Sequence, residues 1–316
     1  MNRNRHLSKS PIVDQMPLAC ADERAAIEFF EAQRWGDTPA CVHCGSVGVY
    51  TIKDRTTGER RADGRWRCRD CGKQFTVRVG NIMEDSPIPL RKWAYAFWCA
   101  ATAKNGVSAL EMSRKLQITY KSALFLMNRI RWAMRQEPGG PKLTGVIEAD
   151  TTFVGGRPRF RRIGKPGPVT GKHKPAILAV VQRGGDVRTR VFARVNKHTL
   201  GNVLTEFADT RADLVTDDRG FGGVGKPFRS HRTIKHSLRE YVSETDPTIH
   251  TNTVEGFFSR IKRGLVGVYH SVSREHLFRY ADQYAFLYNA RKLNDGERIG
   301  LLIRSAEGKR LMRRAG

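Results

Sequence analysis

Two sets of side chains in this chain have the types and spacings that do chemistry. The first is Cys41, Cys44, Cys68 and Cys71, two Cys-x-x-Cys knuckles each followed by glycine, Gly45 and Gly72. Two residues between cysteines let a tight turn aim both sulfurs at one ion, and a trailing glycine folds the chain back without a Cβ clash, so the pattern predicts a four-thiolate Zn²⁺ site. His43 lies inside the first knuckle, but four sulfurs already fill a tetrahedral ion. The second set is Asp150, Asp217 and the cluster Asn252, Glu255, Ser259 and Lys262. Asp150 sits within an apolar strand, where a lone carboxylate is costly unless a cation or hydrogen bond compensates. Asp217 closes the run "LVTD", and α/β sheets place ligand-binding side chains at such strand ends. At 100° per residue, Asn252, Glu255 and Lys262 fall in one sector of a helix and can face one site. Three oxygen-bearing segments meeting at one spot suit two Mg²⁺ (or Mn²⁺) ions. Such a pair activates a water or a 3′-hydroxyl and stabilises the leaving oxygen of a phosphodiester. Each acid also has a plainer reading: Asp150 as a strand-end cap, Asp217 as the first residue of a turn through Asp218-Arg219-Gly220, Glu255 as a helical partner of Lys262 or Ser259. Their order along the chain and the elements they occupy favour the metal site.

The elements that must position these residues follow from periodicity and punctuation. Residues 1–16 are polar and basic, with Pro11 inside and Pro17 just after, and predict a flexible arm. A short amphipathic helix over Ala21–Gln33, with Asp22 as cap and Gly36 as stop, precedes a ribbon from Ala40 to Val79 whose strands "GVYTIK" and "RWRCRDCGKQFTVRVG" flank the knuckles. A helix over Pro89–Ala103 follows. Val107, Leu110 and Leu116 then mark the buried face of one helix, Gln117-Ile118-Thr119 a turn, and Ala123, Leu126, Met127 and Ile130 a second helix, which is helix-turn-helix spacing. The second helix carries Tyr120, Lys121, Asn128, Arg129 and Arg131, residue types that reach phosphates and base edges. The plainer alternative is a three-helix bundle with solvated basic residues. Glu137–Lys142, with its prolines and glycines, marks a domain boundary. Beyond it come a β-branched strand, a hairpin turning at Gly184-Gly185, a helix over "TLGNVLTEFAD" and a strand ending in carboxylates. Three strands, a helix and a fourth strand, acids in the first and at the tip of the fourth, give the order of a ribonuclease H-like domain.

Composition sets the frame. A formal charge of +25 and a pI near 10.4 make a polyanion the economical partner. At 316 residues and 40% hydrophobic, two or three domains with real cores are expected. The expected organisation is an N-terminal arm and short helix over 1–36, a zinc ribbon over 37–80, a helix-turn-helix over 86–137, the catalytic domain over 143–295 and a basic tail over 296–316. The longest apolar run, Trp93 to Ala103, is short of the ~20 residues that span a bilayer, and a cytoplasmic protein without a membrane partner is expected. Cys20 and Cys99 read as reduced, Cys99 as core. The stretch "RPRFRRIGKPGPVTGKHK" has seven Lys and Arg and no acid. Its Arg157, Arg159, Arg161 and Arg162 are candidate phosphate contacts, with Lys262 and Arg263, and a solvated loop is the alternative. His236, His250 and His270 are placed along the same groove without catalytic roles. The aromatic stripe of "RYADQYAFLYNARK" reads as packing, with Arg279 and Arg291 outside.

The segments "CVHCG", "CRDCGKQF", "GVIEADTTFVGG", "LVTDD", "HTNTVEGFFSRIKRGLVGVYH" and "RYADQYAFLYNAR" together resemble the insertion-sequence transposases of family fifteen-ninety-five, the ISXO type, over about residues 20–292. The resemblance implies a DDE-type enzyme with a ribonuclease H-like core that cuts at element ends and joins the 3′ ends to double-stranded target DNA, acting as a homodimer or larger assembly. It assigns the catalytic acids to Asp150, Asp217 and a residue of the segment 252–255. DDE enzymes often carry Lys or Arg seven residues after the third acid, as Lys262 follows Glu255. The family is also described with asparagine in the third place, and Asn252 is one turn away. Glu255 therefore ranks first, Asn252 as a neighbour of the metal, Glu148 as a further acid shaping the site, and Asp218 as the substitute for Asp217. A DNA-binding regulator with an inactive nuclease-like domain, and a nuclease acting on RNA in hybrids, are the competing classes. Retention of Asp150, Asp217 and Glu255 argues against the first, and the N-terminal DNA-reading module against the second.

Overall fold

A computed structural model describes residues 10–137, 139–155, 174–217, 221–234, 242–243 and 246–311. The chain divides into two compact units, one built from residues 1–134 and 291–316, the other from 135–290. No helix among the described residues is long and apolar enough to cross a membrane.

In the first unit, helices α1 (Pro11–Ala21), α2 (Glu23–Trp35), α3 (Leu90–Thr102) and α9 (Asp295–Arg304) pack together. Two of them correct the sequence reading. Residues 11–16, expected in a flexible arm, begin α1: Pro11 stands in the first turn, where a missing N–H costs nothing, and Met16 and Ala19 are buried. The expected basic tail contains α9, started by a capping box between Asn294 and Glu297 and burying Ile299, Leu302 and Ile303. Its approach to α1 requires glycine, since a Cβ on Gly296 would lie 1.8 Å from Ser10 Oγ. Leu302→Ala, harmless in a tail, is expected to cost roughly 2–5 kcal/mol here. Thermal or denaturant unfolding of the two proteins measures it.

The ribbon is a three-stranded antiparallel sheet in the order β1 (Val49–Thr51), β2 (Trp66–Cys68), β3 (Gln74–Phe75). Buried Glu31 of α2 ties it down, accepting from Trp66 Nε1 at 2.7 Å and Arg60 Nη2 at 2.5 Å. Glu23 caps α3 from a distance, its carboxylate accepting from the backbone N–H groups of Leu90 and Arg91 at 2.7 and 3.0 Å. Helices α4 (Ala109–Leu116) and α5 (Tyr120–Ala133) are joined by a three-residue turn opening on left-handed Gln117, and Ser108 and Thr119 cap their starts. Leu110, expected on the buried face of α4, is 58% exposed; Ala109, Met112 and Leu116 form that face.

The second unit is a five-stranded sheet between helical layers. Its order is β6 (Val187–Phe192), β5 (Ala176–Gln182), β4 (Val146–Phe153), β7 (Asp213–Asp217), β8 (Ser230–Ile234). The first three strands pair antiparallel, and β7 and β8 run parallel to β4. The crossover helix α6 (Lys197–Phe207) covers one face through Leu200, Val203, Leu204 and Phe207 on Ile147, Ala149, Leu178 and Leu214. On the other face α7 (Asn252–Gly264) and α8 (Leu277–Asn289) lay Phe257, Ile261, Ala281 and Tyr284 on Ile177, Ala179 and Val181. The strand pattern and hairpin are as the sequence predicts; β8 is an additional strand.

Candidate active site and metal centre

The four cysteine sulfurs lie within 4.8 Å of one another, with Cys41 to Cys71 and Cys44 to Cys68 both at 3.7 Å. A tetrahedral ion with Zn–S bonds of ~2.3 Å sets its sulfurs about 3.8 Å apart, so the cradle fits zinc. Backbone N–H groups of Cys71 and Asp70 draw the Cys68 thiol down to about 7, toward the thiolate that binds metal. His43 takes no side-chain part; its backbone N–H donates to Cys41 Sγ at 3.4 Å.

The acids of the second unit are brought together by strand register. In the parallel pair, Glu148 faces Val215 and Ala149 faces Thr216, so the next residue along each of the neighbouring strands is Asp150 on β4 and Asp217 on β7. Side chains at one level on adjacent parallel strands share a face. Asp150 pairs with Ala179 on β5, and Ala179 packs against α7 and α8. Both aspartates therefore belong to the α7 side. Asp213, on the same face at the other end of β7, is used structurally: Arg229 and Ser230 bind its carboxylate and hold it down to about 2.

Helix α7 starts at Asn252, with Glu255 half-buried in its first turn and Ser259, Lys262 and Arg263 exposed beyond. Its N-terminus is fixed to β4 by Glu148, a fully buried carboxylate that accepts from the backbone N–H of Thr253 (2.8 Å) and Val254 (3.0 Å) and from Thr253 Oγ1 (2.8 Å). Arg183, in the β5–β6 turn, donates to Glu148 through Nε at 2.6 Å and to the carbonyls of Thr248 and His250 at 2.5 and 2.8 Å. Among the described residues the four cysteines are the one group of three or more His, Cys, Asp or Glu residues gathered closely enough to hold a metal ion as they stand. A cavity of about 340 Å³ lies along β6 between α6 and α8, lined by Arg188, Arg190, Phe207 and Phe278, and none of the three acids borders it.

Among the sequence-predicted DNA contacts, Tyr120 and Lys121 are exposed at the start of α5, and Asn128 is half-buried further along. Arg129 and Arg131 are interior, 6% and 1% exposed. Arg129 donates to the carbonyls of Ile82 and Glu84 at 2.7 and 2.6 Å and lies over the Phe125 ring, while Arg131 reaches Asn128 Oδ1 at 3.4 Å. Both guanidiniums bind the protein itself, so neither is carried forward as a DNA contact. Arg129→Ala is expected to lower stability by roughly 1.5–3 kcal/mol, the worth of a charged hydrogen bond, and unfolding curves of the variant test this. Arg157, Arg159, Arg161, Arg162, Asp218 and His236 lie outside the described residues. The role of Arg183 escaped sequence reasoning, because a lone arginine in a hairpin turn carries no signal. That of Glu148 was half visible from its place two residues before Asp150.

A model described as the ISXO2-like transposase domain matches residues 142–289, and one described as the transposase zinc-ribbon domain matches residues 21–74. A protein of Halobacterium salinarum described as an uncharacterized protein in transposable element ISH50 is 23% identical over 284 residues, covering 84% of this chain and 90% of that one. No solved structure matches.

Proposed function

This chain belongs to the insertion-sequence transposases with an ISXO2-like domain and an N-terminal zinc ribbon, and from that premise we propose that it binds the terminal repeats of its element, cleaves DNA there and joins the 3′ ends to target DNA. The observation that carries the proposal is the β4–β7 register, which sets Asp150 beside Asp217 on the face where the start of α7 is pinned. The strand order of the second unit, with an antiparallel hairpin on one side of β4 and parallel strands on the other, supports the reading of this unit as ribonuclease H-like.

Asp150, Asp217 and Glu255 would hold Mg²⁺ or Mn²⁺, with a pair of ions ~3.5–4 Å apart as the arrangement that serves phosphodiester chemistry. Bound there, the metal supplies an activated water or 3′-hydroxyl and charge stabilisation for the leaving oxygen. Glu255 is preferred to Asn252 as third ligand because a carboxylate is the harder, charged donor for Mg²⁺. Lys262, two turns beyond Glu255 on the exposed side of α7, holds a DNA phosphate near the acids, and Arg263 adds a second cation.

In the first unit, α4, the turn and α5 serve as a helix-turn-helix whose exposed Tyr120 and Lys121 stand where recognition helices meet DNA, at the N-terminal end. Lys121→Ala should weaken binding of all sequences alike and reduce the slope of log K against log salt by about one. Fluorescence titrations at several salt concentrations read both. Holding two element ends calls for at least two protomers.

The deciding experiment is cleavage and joining of a labelled fragment carrying the element's terminal repeat by purified protein in Mg²⁺ or Mn²⁺. Metal-dependent joined product supports the proposal. Tight repeat binding with no cleavage in either metal would replace it with the regulator reading.

A further inference from the structure

We propose that Glu148 is a positioning residue of the active site and not one of its metal ligands: it serves as the N-cap of α7 from another strand and so sets Glu255 and Asn252 against Asp150. The inference rests on the transposase reading given above.

The first argument is saturation. A carboxylate offers about four lone-pair directions. Those of Glu148 receive Arg183 Nε, Thr253 Oγ1 and the N–H groups of Thr253 and Val254. His250 Nδ1 stands a further 3.4 Å away. With the side chain fully buried, nothing is left facing an ion. The second is the state of the helix end. The first N–H groups of a helix have no partner within it and are ordinarily satisfied by the side chain of the capping residue. In α7 that residue, Thr251, makes no such bond and has φ −117° and ψ 19°, outside the usual extended cap geometry. Glu148 accepts from the second and third N–H groups of the helix instead. A buried anion is costly alone, and here the helix dipole and the Arg183 guanidinium offset the cost.

The third argument is placement. Thr253 and Val254, the two capped residues, are the ones between Asn252 and Glu255. Glu148 is two residues from Asp150 on one face of β4, ~6.6 Å along the strand. One carboxylate thus fixes the distance between the strand that carries the first acid and the helix that carries the third. Arg183 extends the clamp to the carbonyls of Thr248 and His250, tying down the chain that leads into α7.

The test compares wild type, Glu148→Gln, Thr253→Val and Asp150→Asn in full-length protein by three measurements: hydrogen exchange of the peptide over residues 250–258, Mn²⁺ binding by electron paramagnetic resonance, and end cleavage. Glu148→Gln is expected to speed exchange in that peptide at least ~10-fold by local opening. Its kcat for cleavage should fall about 10²-fold, the effect of an ångström-scale misplacement, with KM for the DNA end unchanged. Mn²⁺ binding should stay closer to wild type than to Asp150→Asn. Thr253→Val, which deletes one donor and spares the carboxylate, should fall between wild type and Glu148→Gln in kcat, keeping the test alive if Glu148→Gln fails to fold. Unchanged exchange, or Mn²⁺ binding lost as fully as in Asp150→Asn, overturns the clamp. Absence of cleavage by the wild-type protein in both metals instead overturns the transposase reading and the catalytic half of this proposal, while the exchange result still reports on the cap.

Discussion

Asp150→Asn and Asp217→Asn should each lower metal-dependent end cleavage at least ~10³-fold, about 4 kcal/mol of transition-state stabilisation, while leaving end binding and thermal stability near wild type. The expectation follows from geometry. The two side chains stand level on adjacent parallel strands, on the face that α7 covers. Asparagine keeps the shape but not the charge that an ion pair of Mg²⁺ requires. Asp213→Asn is the internal control, because it shares the strand and the face but is bound by Arg229 and Ser230. It should cost stability and spare cleavage. Its folded pKa lies below the unfolded value, so its contribution is full above about pH 4 and fades as the pH falls toward 2. Glu255→Gln and Asn252→Ala then separate the third ligand. If Glu255 is the ligand, its change matches the aspartates and that of Asn252 costs far less; equal loss at Asn252 with an active Glu255→Gln reverses the assignment. Full activity in either aspartate variant would sink the DDE mechanism for this chain.

Much of this arrangement was legible in the amino-acid order, and the failures have physical causes. The knuckles, the strand carrying Asp150, the hairpin at Gly184-Gly185 and the strand ending in Asp217 are short-range patterns that tertiary contacts had no reason to override. At both termini the structure departs from the sequence pattern, for different reasons. Pro11 and Pro17 read as breakers, yet Pro11 stands in the first turn, where proline is tolerated, and α1 continues through Pro17 with Met16 and Ala19 buried. For α9 the signals were present, a capping box followed by Ile299, Leu302 and Ile303, but the charge of the surrounding arginines masked them. Arg129 and Arg131 show the limit of charge as evidence: a basic residue on a candidate recognition helix reads as a DNA contact until its partners, here the carbonyls of Ile82 and Glu84 for Arg129 and Asn128 Oδ1 for Arg131, are known. The clamp through Glu148 and Arg183 joins three segments distant in sequence, and no local window contains it.

Removing zinc is expected to unfold the ribbon, either by chelation or by Cys68→Ser. The ribbon's strands are three, three and two residues long. Of its buried centre, Cys41, Cys68 and Phe75, two members are themselves ligands, with Trp35, Val49 and Trp66 only partly buried around them. Such a cluster removes too little apolar surface from water to offset the entropy of ordering the intervening loops. Structural zinc contributes an apparent ~10–16 kcal/mol in small domains of this kind, more than the whole stability of many proteins. The loss should also spread to α2, because Glu31 would keep its buried carboxylate while its partners Trp66 and Arg60 leave with the ribbon. The metal content of the purified chain should be one zinc, released on chelation as the ribbon's tryptophan, Trp66, becomes exposed. Terminal-repeat binding should fall with it, since the ribbon and the α4–α5 pair belong to one compact unit. A Cys68→Ser protein that lacks zinc yet melts at the wild-type temperature with Trp66 no more exposed than in the wild type would show that apolar packing alone holds the ribbon, and the metal would then have to be assigned another task.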